Sequence, residues 1–380
     1  MRDAATRGQI APARYRGRAM DLMTATRAYE AWVAAQGPTR PADFRFKHAR
    51  MAENPFLFLR GAYYRWAELF PTTCPEAMEA PALLAVGDLH IENLGTWRDA
   101  AGRLAWGVGD FDEAHRLPYT NDLVRLAASV RLGVPGRLQI PFRRACQAIL
   151  RGYADGLRRG GDPFVLEDRH PVLRRQAVER LRDAVAYWNQ LRRLPRARRG
   201  VPAGVEGVLR AALPEPRPSL DLRWRRAGTG SLGRARLVAL AEWRGGLVAR
   251  EAKTAIGAAN AWLERPHDTH PEILHNRILG RAVRSPDPEL RQRAGWIVRR
   301  LAPDCSRVEL ARAPARADQA EWLVAMGAEA ANIHLGSRRD IARVARDVER
   351  RDPGWLRQAA RAMVAVTRRE HAEWAARARR

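Results

Sequence analysis

Two acidic motifs lie on either side of a predicted β-hairpin in the first third of the chain. An apolar run over 82–86 stops at the sequence GDLHIEN, and a strand pair then returns the chain to the sequence GDFDE at 109–113. Alternating runs with a turn between them are typical of a hairpin. The fold should therefore bring the polar ends of these strands together. The oxygen-bearing side chains that would meet there are Asp88, Asn93, Asp110 and Asp112.

These residue types in this spacing are typical of phosphoryl transfer. That reaction needs a carboxylate to orient the acceptor hydroxyl and oxygen ligands for Mg²⁺, because phosphate charge otherwise opposes attack. Asp88 and Asn93 have the required Asp-x-x-x-x-Asn spacing. Asp112 would share a strand face with Asp110 if the strand continued, which adds a third metal-capable side chain to Asn93 and Asp110. The alternative is that these residues only cap turns.

A glycine-rich segment and a lysine follow much later in the chain. The residues concerned are Gly228, Gly230, Ser231, Gly233 and Lys253. The spacing Gly-x-Gly-x-x-Gly also occurs in dinucleotide-binding folds, but there a helix begins directly after the glycines. Here two alternating runs flank the turn at 244–246, which predicts a second hairpin. The pattern favours a loop over nucleotide phosphates, with a lysine on the next strand reaching them.

Lysine is rare in this sequence. Lys47 and Lys253 are the two lysines among 67 basic residues. A compact ammonium kept among so many planar guanidinium groups indicates a site that arginine does not fit, and chance retention is the alternative. Glu251, on the same predicted strand face, is one candidate ion-pair partner for Lys253. Glu272, on the following predicted helix, is the other.

The charge of the chain keeps nucleic acid among the possible partners. The 380 residues carry a formal net charge of +25, which attracts polyanions without a specific site. The arginines are spread from end to end, however, and the sequence has no zinc-finger spacing or RNA-binding aromatic motif. An arginine-rich coding bias explains the charge more simply than a dedicated nucleic-acid function.

The cysteines and the apolar segments predict a cytoplasmic protein. Cys74, Cys146 and Cys305 are odd in number and far apart, so they indicate neither a disulfide framework nor a zinc site. The basic N-terminus lacks an apolar core, and no stretch approaches the ~20 apolar residues of a membrane span. We therefore expect no membrane-spanning segment.

Several segments resemble a bacterial family called domain of unknown function 2252. They are KHARMAENPFLFLRGAYY, GDLHIENLG, GDFDEAHRLPYTNDLVRLAAS and GTGSLGRAR with the later AREAK, and the resemblance covers most of residues 45–340. GDLHIEN and GDFDE are also similar to aminoglycoside phosphotransferases and other kinase-like enzymes. This similarity implies Asp88 as the catalytic base and Asn93 and Asp110 as Mg²⁺ ligands. It implies Lys253 as the lysine that binds the phosphates of ATP.

The motif order differs from that of kinases, in which the glycine-rich loop and lysine precede the catalytic loop. We therefore expect an α+β, circularly permuted protein-kinase-like fold, with a small antiparallel β-sheet lobe and a larger, mostly helical lobe. Termini that lie close together make such a permutation tolerable. The predicted parts are a loosely ordered N-terminal arm (1–45), the catalytic-loop part of the large lobe (46–195), a linker (196–218), the nucleotide-binding small lobe (219–313) and the helical remainder of the large lobe (314–380).

Hydrophobic patterns outside the motifs predict further elements. Helical patterns cover 122–157, 172–194 and 270–283, and helices should fill the chain from 318 onward. The sequences WIVRRL and SRVEL, separated by a turn, predict a third hairpin.

The leading functional prediction is an ATP- and Mg²⁺-dependent phosphotransferase whose acceptor is a small hydroxyl-bearing molecule or a protein. Nucleotidyl transfer on the same fold is the first alternative, because a changed nucleotide orientation would expose the α-phosphate. A non-catalytic nucleotide- or nucleic-acid-binding protein is the second. The phosphotransferase prediction requires Lys253 and Asp110 to face one cleft, with side chains within roughly 12 Å of each other.

Overall fold

The computed structural model describes residues 19–133, 138–178, 183–215, 219–305 and 314–378. Within these ranges the chain forms α-helices and three antiparallel sheets. The helices are α1 (Leu22–Gln36), α2 (Pro41–Glu53), α3 (Pro55–Gly61), α4 (Tyr63–Thr73), α5 (Pro75–Met78), α6 (Tyr119–Leu132), α7 (Phe142–Arg159), α8 (Pro171–Val178), α9 (Ala184–Arg192), α10 (Val205–Arg210), α11 (Ala259–Glu264), α12 (His275–Arg281), α13 (Gln319–His334), α14 (Ile341–Arg350) and α15 (Trp355–Ala378). The strands are β1 (Ala82–Ala85), β2 (Leu94–Arg98), β3 (Leu104–Val108), β4 (His115–Pro118), β5 (Phe164–Val165), β6 (Asp221–Trp224), β7 (Arg236–Trp243), β8 (Gly246–Thr254), β9 (Arg291–Arg293) and β10 (Trp296–Leu301).

The largest sheet contains the five strands from the second half of the chain, in the order β6-β7-β8-β10-β9. Strand β8 is central, and Lys253 lies opposite Arg236 on β7 and Ile297 on β10. Because side chains alternate along a strand, Glu251 and Lys253 share one face. Ala252 lies on the other face, where it belongs to a small apolar core. The sheet thus presents a charged face to the rest of the molecule.

The segment 196–218, predicted as a linker, is part of this sheet lobe in its described portion. It contains α10, whose Val205 and Leu209 are completely buried in the apolar core on the far side of the sheet. Arg196 also pairs with Arg223 of β6 as an isolated bridge. The linker prediction was wrong because three apolar residues at helical spacing outweigh the surrounding Arg, Pro and Gly.

The segment before residue 45 is also more ordered than predicted. Residues 1–18 lie outside the described ranges, but α1 begins after Asp21, which accepts hydrogen bonds from two backbone N–H groups of the first turn. Its Leu22, Tyr29 and Trp32 belong to the main core. A loosely ordered arm is therefore the wrong description of residues 19–45, because the apolar residues of this helix recur on one face.

The helical lobe is built around a close pair, α7 and α13. Glycines make this approach possible: a Cβ added at Gly152 would lie 1.9 Å from the carbonyl oxygen of Val324, and one added at Gly327 would lie 2.1 Å from that of Ile149. A single helix was predicted over 122–157. In the described part of that segment the structure has two helices, α6 and α7. Helix α13 carries Glu329 and Asn332 to the base of the β2–β3 hairpin.

The remaining predictions of secondary structure are confirmed in part. The β2–β3 and β7–β8 hairpins and the helices after residue 318 are present, while the helix predicted over 270–283 is limited to α12. The SRVEL segment (306–310) lies outside the described residues. The α+β class with small antiparallel sheets is confirmed. Along the described ranges, none of the helices is long and apolar enough to cross a bilayer.

Candidate active site

A buried carboxylate holds the loop that follows β1. Asp122, in the first turn of α6, accepts hydrogen bonds from the backbone N–H groups of Val86 (2.7 Å) and Gly87 (2.9 Å). Gly87 has a φ of 79°, and a Cβ there would lie 2.2 Å from the carbonyl oxygen of Glu113. Glycine is therefore required at this turn, since other residues rarely adopt such a conformation. The arrangement fixes the backbone from which the Asp88 side chain projects.

The Asp88 carboxylate is partly shielded and paired with one arginine. Its Oδ1 accepts a hydrogen bond of 2.6 Å from Nε of Arg125, a side chain with no solvent exposure, whereas Asp88 is 17% exposed. Burial raises the pKa of Asp88 to about 6, and Arg125 opposes that rise. A carboxylate with this pKa is ionised at neutral pH and can still accept a proton. That combination suits a general base.

Asn93 connects the two acidic motifs. Its Nδ2 donates to the carbonyl oxygens of Asp88 (3.0 Å) and Asp110 (3.2 Å). The Oδ1 atom of Asn93 is buried and has no hydrogen-bond partner among the described residues, and the same is true of Oδ1 of Asp112. Buried oxygens without a donor are costly, so both are available for a ligand.

The structure brings Lys253 to the acidic residues of the second motif. Its Nζ lies 3.3 Å from Oδ1 of Asp110 and also contacts Asp112. Burial lowers the pKa of Lys253, and the two carboxylates oppose that change. Asp112 does not lie on a continued strand, because β3 ends at Val108 and residues 112–113 form a turn. The expected shared strand face was wrong, although Asp110 and Asp112 still face the same lysine.

Neither glutamate proposed as a partner of Lys253 is bonded to it. Glu251 is 1% exposed and accepts hydrogen bonds from Arg236 (2.5 Å), Arg299 (2.8 Å) and Arg225. Burial acts to raise the pKa of Glu251, but these three guanidinium groups hold it well below its usual value. Glu272 is exposed and pairs with Arg277. Both partner predictions were therefore wrong.

The glycine-rich segment forms a compact turn between β6 and β7. Residues 229–231 form one 3₁₀ turn, and Gly230 packs over α3 with its Cβ position 3.6 Å from Oδ2 of Asp88. Gly233 has a φ of 100° and faces the ring of Phe44, where a Cβ would lie 2.3 Å away. Ser231 Oγ accepts a hydrogen bond of 2.6 Å from Arg236. The turn therefore covers Asp88, and its two close contacts require glycine.

Two cavities flank these groups. The first, which we call the Asp88 cavity, has about 590 Å³ of empty space, and the second, the hairpin cavity, has about 740 Å³. Asn93 lines both of them. The Asp88 cavity also contains Asp110, Asp112 and the glycine-rich turn, whereas the hairpin cavity extends from Gly109 towards the end of β10. All the predicted site residues except Lys253 and Gly233 line the Asp88 cavity, and Lys253 reaches it through its contacts with the two aspartates.

Sequence reasoning missed several residues of this site. Lys47 lines the Asp88 cavity, so both lysines of the chain lie at one site. The rarity of lysine was the available signal, but it was applied to Lys253 alone. Arg125 and Arg234 were also missed, since arginine is too common in this sequence for any one residue to stand out. Arg234 pairs with Asp112 at 2.9 Å and reaches Glu113.

The site offers only a few side-chain oxygens that could contact a metal ion. Over the described ranges, no group of three or more His, Cys, Asp and Glu side chains has metal-binding geometry. Mg²⁺ needs only one or two carboxylates, because water and phosphate oxygens complete its shell. Asp110 and the buried, unpaired oxygens of Asn93 and Asp112 are the groups that could contact such an ion.

One comparison with known proteins finds a match to part of the chain. Residues 40–194 match a family described as an uncharacterized protein conserved in bacteria, domain of unknown function 2252. The matched segment contains Asp88, Asn93, Asp110 and Asp112 and ends before the glycine-rich turn and Lys253. No curated protein and no solved structure matches the chain. The bacterial family resemblance is thus supported for this segment.

Proposed function

We propose that the protein is an ATP- and Mg²⁺-dependent phosphotransferase with a circularly permuted kinase-like fold. The observation that carries the proposal is the contact of 3.3 Å between Lys253 Nζ and Asp110 Oδ1, residues 143 positions apart in the chain. Kinases use a strand lysine for the nucleotide phosphates and an aspartate for the metal, and these groups face each other across the phosphates. The same two residue types meet here in the reverse chain order.

The sheet lobe supports the proposal independently. Its first two strands in chain order, β6 and β7, are joined through the glycine-rich turn, and its third strand, β8, carries Lys253. Protein kinases likewise place a Gly-rich loop over the phosphates and the lysine on their third strand. A dinucleotide-binding fold would instead continue from the glycines into a helix.

The side chains divide the work of the reaction. Mg-ATP, when bound, supplies the transferable phosphoryl group and a cation that offsets its charge. Lys253 would leave Asp110 and Asp112 to contact the phosphates, and the freed aspartate oxygens with Oδ1 of Asn93 would hold the metal. Asp88 would orient the acceptor hydroxyl and accept its proton, while Arg125 keeps the carboxylate in place. Gly230 lies against Asp88, where an added Cβ would be 3.6 Å from Oδ2.

The two cavities supply places for the two substrates. We assign the base and ribose to the hairpin cavity and the acceptor to the Asp88 cavity, because Asn93 lies between the two. This assignment puts the phosphates at Asn93 and Asp110, with the acceptor hydroxyl beside Asp88. An in-line transfer needs this order of acceptor, phosphoryl group and nucleotide.

The test uses ATP labelled at either the γ- or the α-position, incubated with the full chain, Mg²⁺ and a small-molecule extract. Transfer of γ-label supports the proposal, and transfer of α-label identifies nucleotidyl transfer instead. Asp88→Asn should reduce labelling by roughly 10²–10⁴, whereas Asp168→Asn, an exposed surface change, should leave it unchanged. Binding to nucleic acid that falls steeply with salt, with no Mg²⁺-dependent nucleotide binding, would reject the enzyme altogether.

A further inference from the structure

Lys47 is a buried cation without a partner. It lies on α2, is 3% exposed and lines the Asp88 cavity. No residue in the described part of the chain forms a hydrogen bond or an ion pair with its ammonium group. A buried charge normally requires a partner, because burial without one is costly.

The carboxylates around Lys47 are already used by other groups. Glu30 pairs with His48 at 2.6 Å. Asp88 pairs with Arg125, and Glu113 accepts a hydrogen bond of 2.6 Å from the backbone N–H of Ala259 and also pairs with Arg234. Burial lowers the pKa of Lys47 to about 8, so the ammonium is still mostly protonated at neutral pH. The wall of the cavity therefore offers a positive charge to a ligand.

The surroundings of Lys47 place it on the acceptor side of the site. The acidic groups with the largest electrostatic effect on it are Glu30, Glu113 and Asp88. Lys253 instead forms direct ion pairs with Asp110 and Asp112. The two lysines are thus associated with different acidic residues, and Lys47 is the one associated with Asp88.

The walls of the Asp88 cavity limit the size of what it can hold. Helices α1 to α4 enclose one side, and they contribute Tyr29, Gly61, Tyr63 and Tyr64 to the lining. These helices narrow the access to Asp88 from their side of the cavity, which favours a small acceptor.

We infer that Lys47 is the anion subsite of the acceptor, so that the acceptor is a small molecule carrying a hydroxyl group and a carboxylate or phosphate group. This inference rests on the proposed phosphotransferase function, and it narrows the acceptor to one chemical class. Lysine suits the position because a compact ammonium makes a point contact with an anion in a narrow pocket.

The scarcity of lysine makes a direct test possible. Full-length protein labelled with ¹³C,¹⁵N-lysine should give two sets of side-chain NMR signals, assigned with Lys47→Met and Lys253→Met. Mg-ADP is added first, followed by inorganic phosphate or acetate as separate probes. Mg-ADP should move the Lys253 signal. Phosphate or acetate should then move the Lys47 signal to saturation and raise the Lys47 pKa above about 8.

A calorimetric titration supplies the second measurement. Lys47→Met should weaken binding of the responding anion by on the order of 10- to 100-fold, as expected for loss of a charged hydrogen bond. Arg45→Met is the matched control, because it removes a positive charge from an exposed position of the same helix and should leave the affinity unchanged. The probe that binds more tightly tells whether the acceptor carries phosphate or carboxylate.

Two results would overturn the inference. In the first, Mg-ADP alone moves the Lys47 signal, which would assign Lys47 to the nucleotide. In the second, neither anion moves it, or phosphate moves only the Lys253 signal. Failure of the proposed function would give a different result. Mg-ADP would leave the Lys253 signal unchanged while an anion still moves the Lys47 signal to saturation. That result would support the anion site and reject phosphoryl transfer from ATP.

Discussion

Arg236 and Lys253 lie directly opposite each other on neighbouring strands and bind different acidic residues. Arg236 forms an ion pair with Glu251, which shares a strand face with Lys253. Lys253 instead contacts Asp110 and Asp112 of the other lobe. The guanidinium group thereby keeps Glu251 away from the lysine. As a result, the lysine charge is directed to the loop that follows the β2–β3 hairpin.

Lys253→Arg should weaken Mg²⁺-dependent nucleotide binding although it preserves the charge. A planar guanidinium cannot reproduce a single ammonium contact in this space, and the loss should be about tenfold or more if a charged hydrogen bond of roughly 1.5–3 kcal/mol is lost. Titration with a fluorescent ATP analogue measures it. Arg293→Lys, a charge-preserving change at an exposed position of β9, is the control. Equal affinity in Lys253→Arg and wild type would make Lys253 a bystander.

Asp110→Ala and Asp88→Asn should fail in different ways. Asp110→Ala should remove the Mg²⁺-dependent part of ATP affinity, because carboxylate oxygen is the ligand that Mg²⁺ prefers. Asp88→Asn should leave that affinity nearly intact and reduce transfer by roughly 10²–10⁴, the range of a general acid–base group. Nucleotide titrations with and without Mg²⁺ distinguish the two. If both variants bind nucleotide like wild type, the metal assignment is wrong and Asp112 is the next residue to test.

The rate of transfer should fall as the pH is lowered through about 6. Burial raises the pKa of Asp88 to about 6, and a general base acts only when ionised, so activity is present above this pH and lost below it. Arg125 acts to lower this pKa, so Arg125→Met should move the acidic limb to higher pH. A pH–rate profile of kcat measures the acidic limb in the wild type and in Arg125→Met. Circular dichroism shows whether the variant folds. If the acidic limb of Arg125→Met lies at the same pH as in the wild type, Asp88 is not the general base.

Glu329→Gln should flatten the dependence of stability on pH. Burial raises the pKa of Glu329 to about 7, although it accepts a hydrogen bond of 2.9 Å from the backbone N–H of Val108. The pKa of Glu329 is higher in the folded protein than in the unfolded chain, where it is about 4.5. Protonated Glu329 therefore stabilises the fold fully below about pH 4.5, and this contribution is lost as the pH rises to about 7. Denaturant midpoints at pH 5 and 8 should therefore differ less in Glu329→Gln. Glu321→Gln, at an exposed position of the same helix, should behave like wild type.

The meeting of Lys253 with Asp110 could be predicted from the sequence because each motif implies a ligand that both must contact. The arginine partners of Glu251 could not be predicted in this way. They depend on the register of β7, β8 and β10, which places Arg236 and Arg299 beside Glu251. The functional roles of these residues remain predictions.

The N-terminal helices were the harder part of the fold. Lys47 is 41 positions before Asp88, and its place at the cavity follows from how α2 packs against the glycine-rich turn, with Phe44 against Gly233. No local pattern reveals such a contact. Helix α10 was not predicted for a different reason: its few apolar residues lie within a segment rich in Arg and Pro.

A crystal structure with Mg²⁺ and a non-hydrolysable ATP analogue tests the central claim most directly. We expect triphosphate oxygens at Lys253 Nζ, a metal ion held by Asp110 and Asn93, and the base in the hairpin cavity. The contact between Lys253 and Asp112 should be broken or lengthened in that complex. An analogue that binds elsewhere, or a soaked crystal in which Lys253 keeps both aspartates and holds no phosphate, would contradict it.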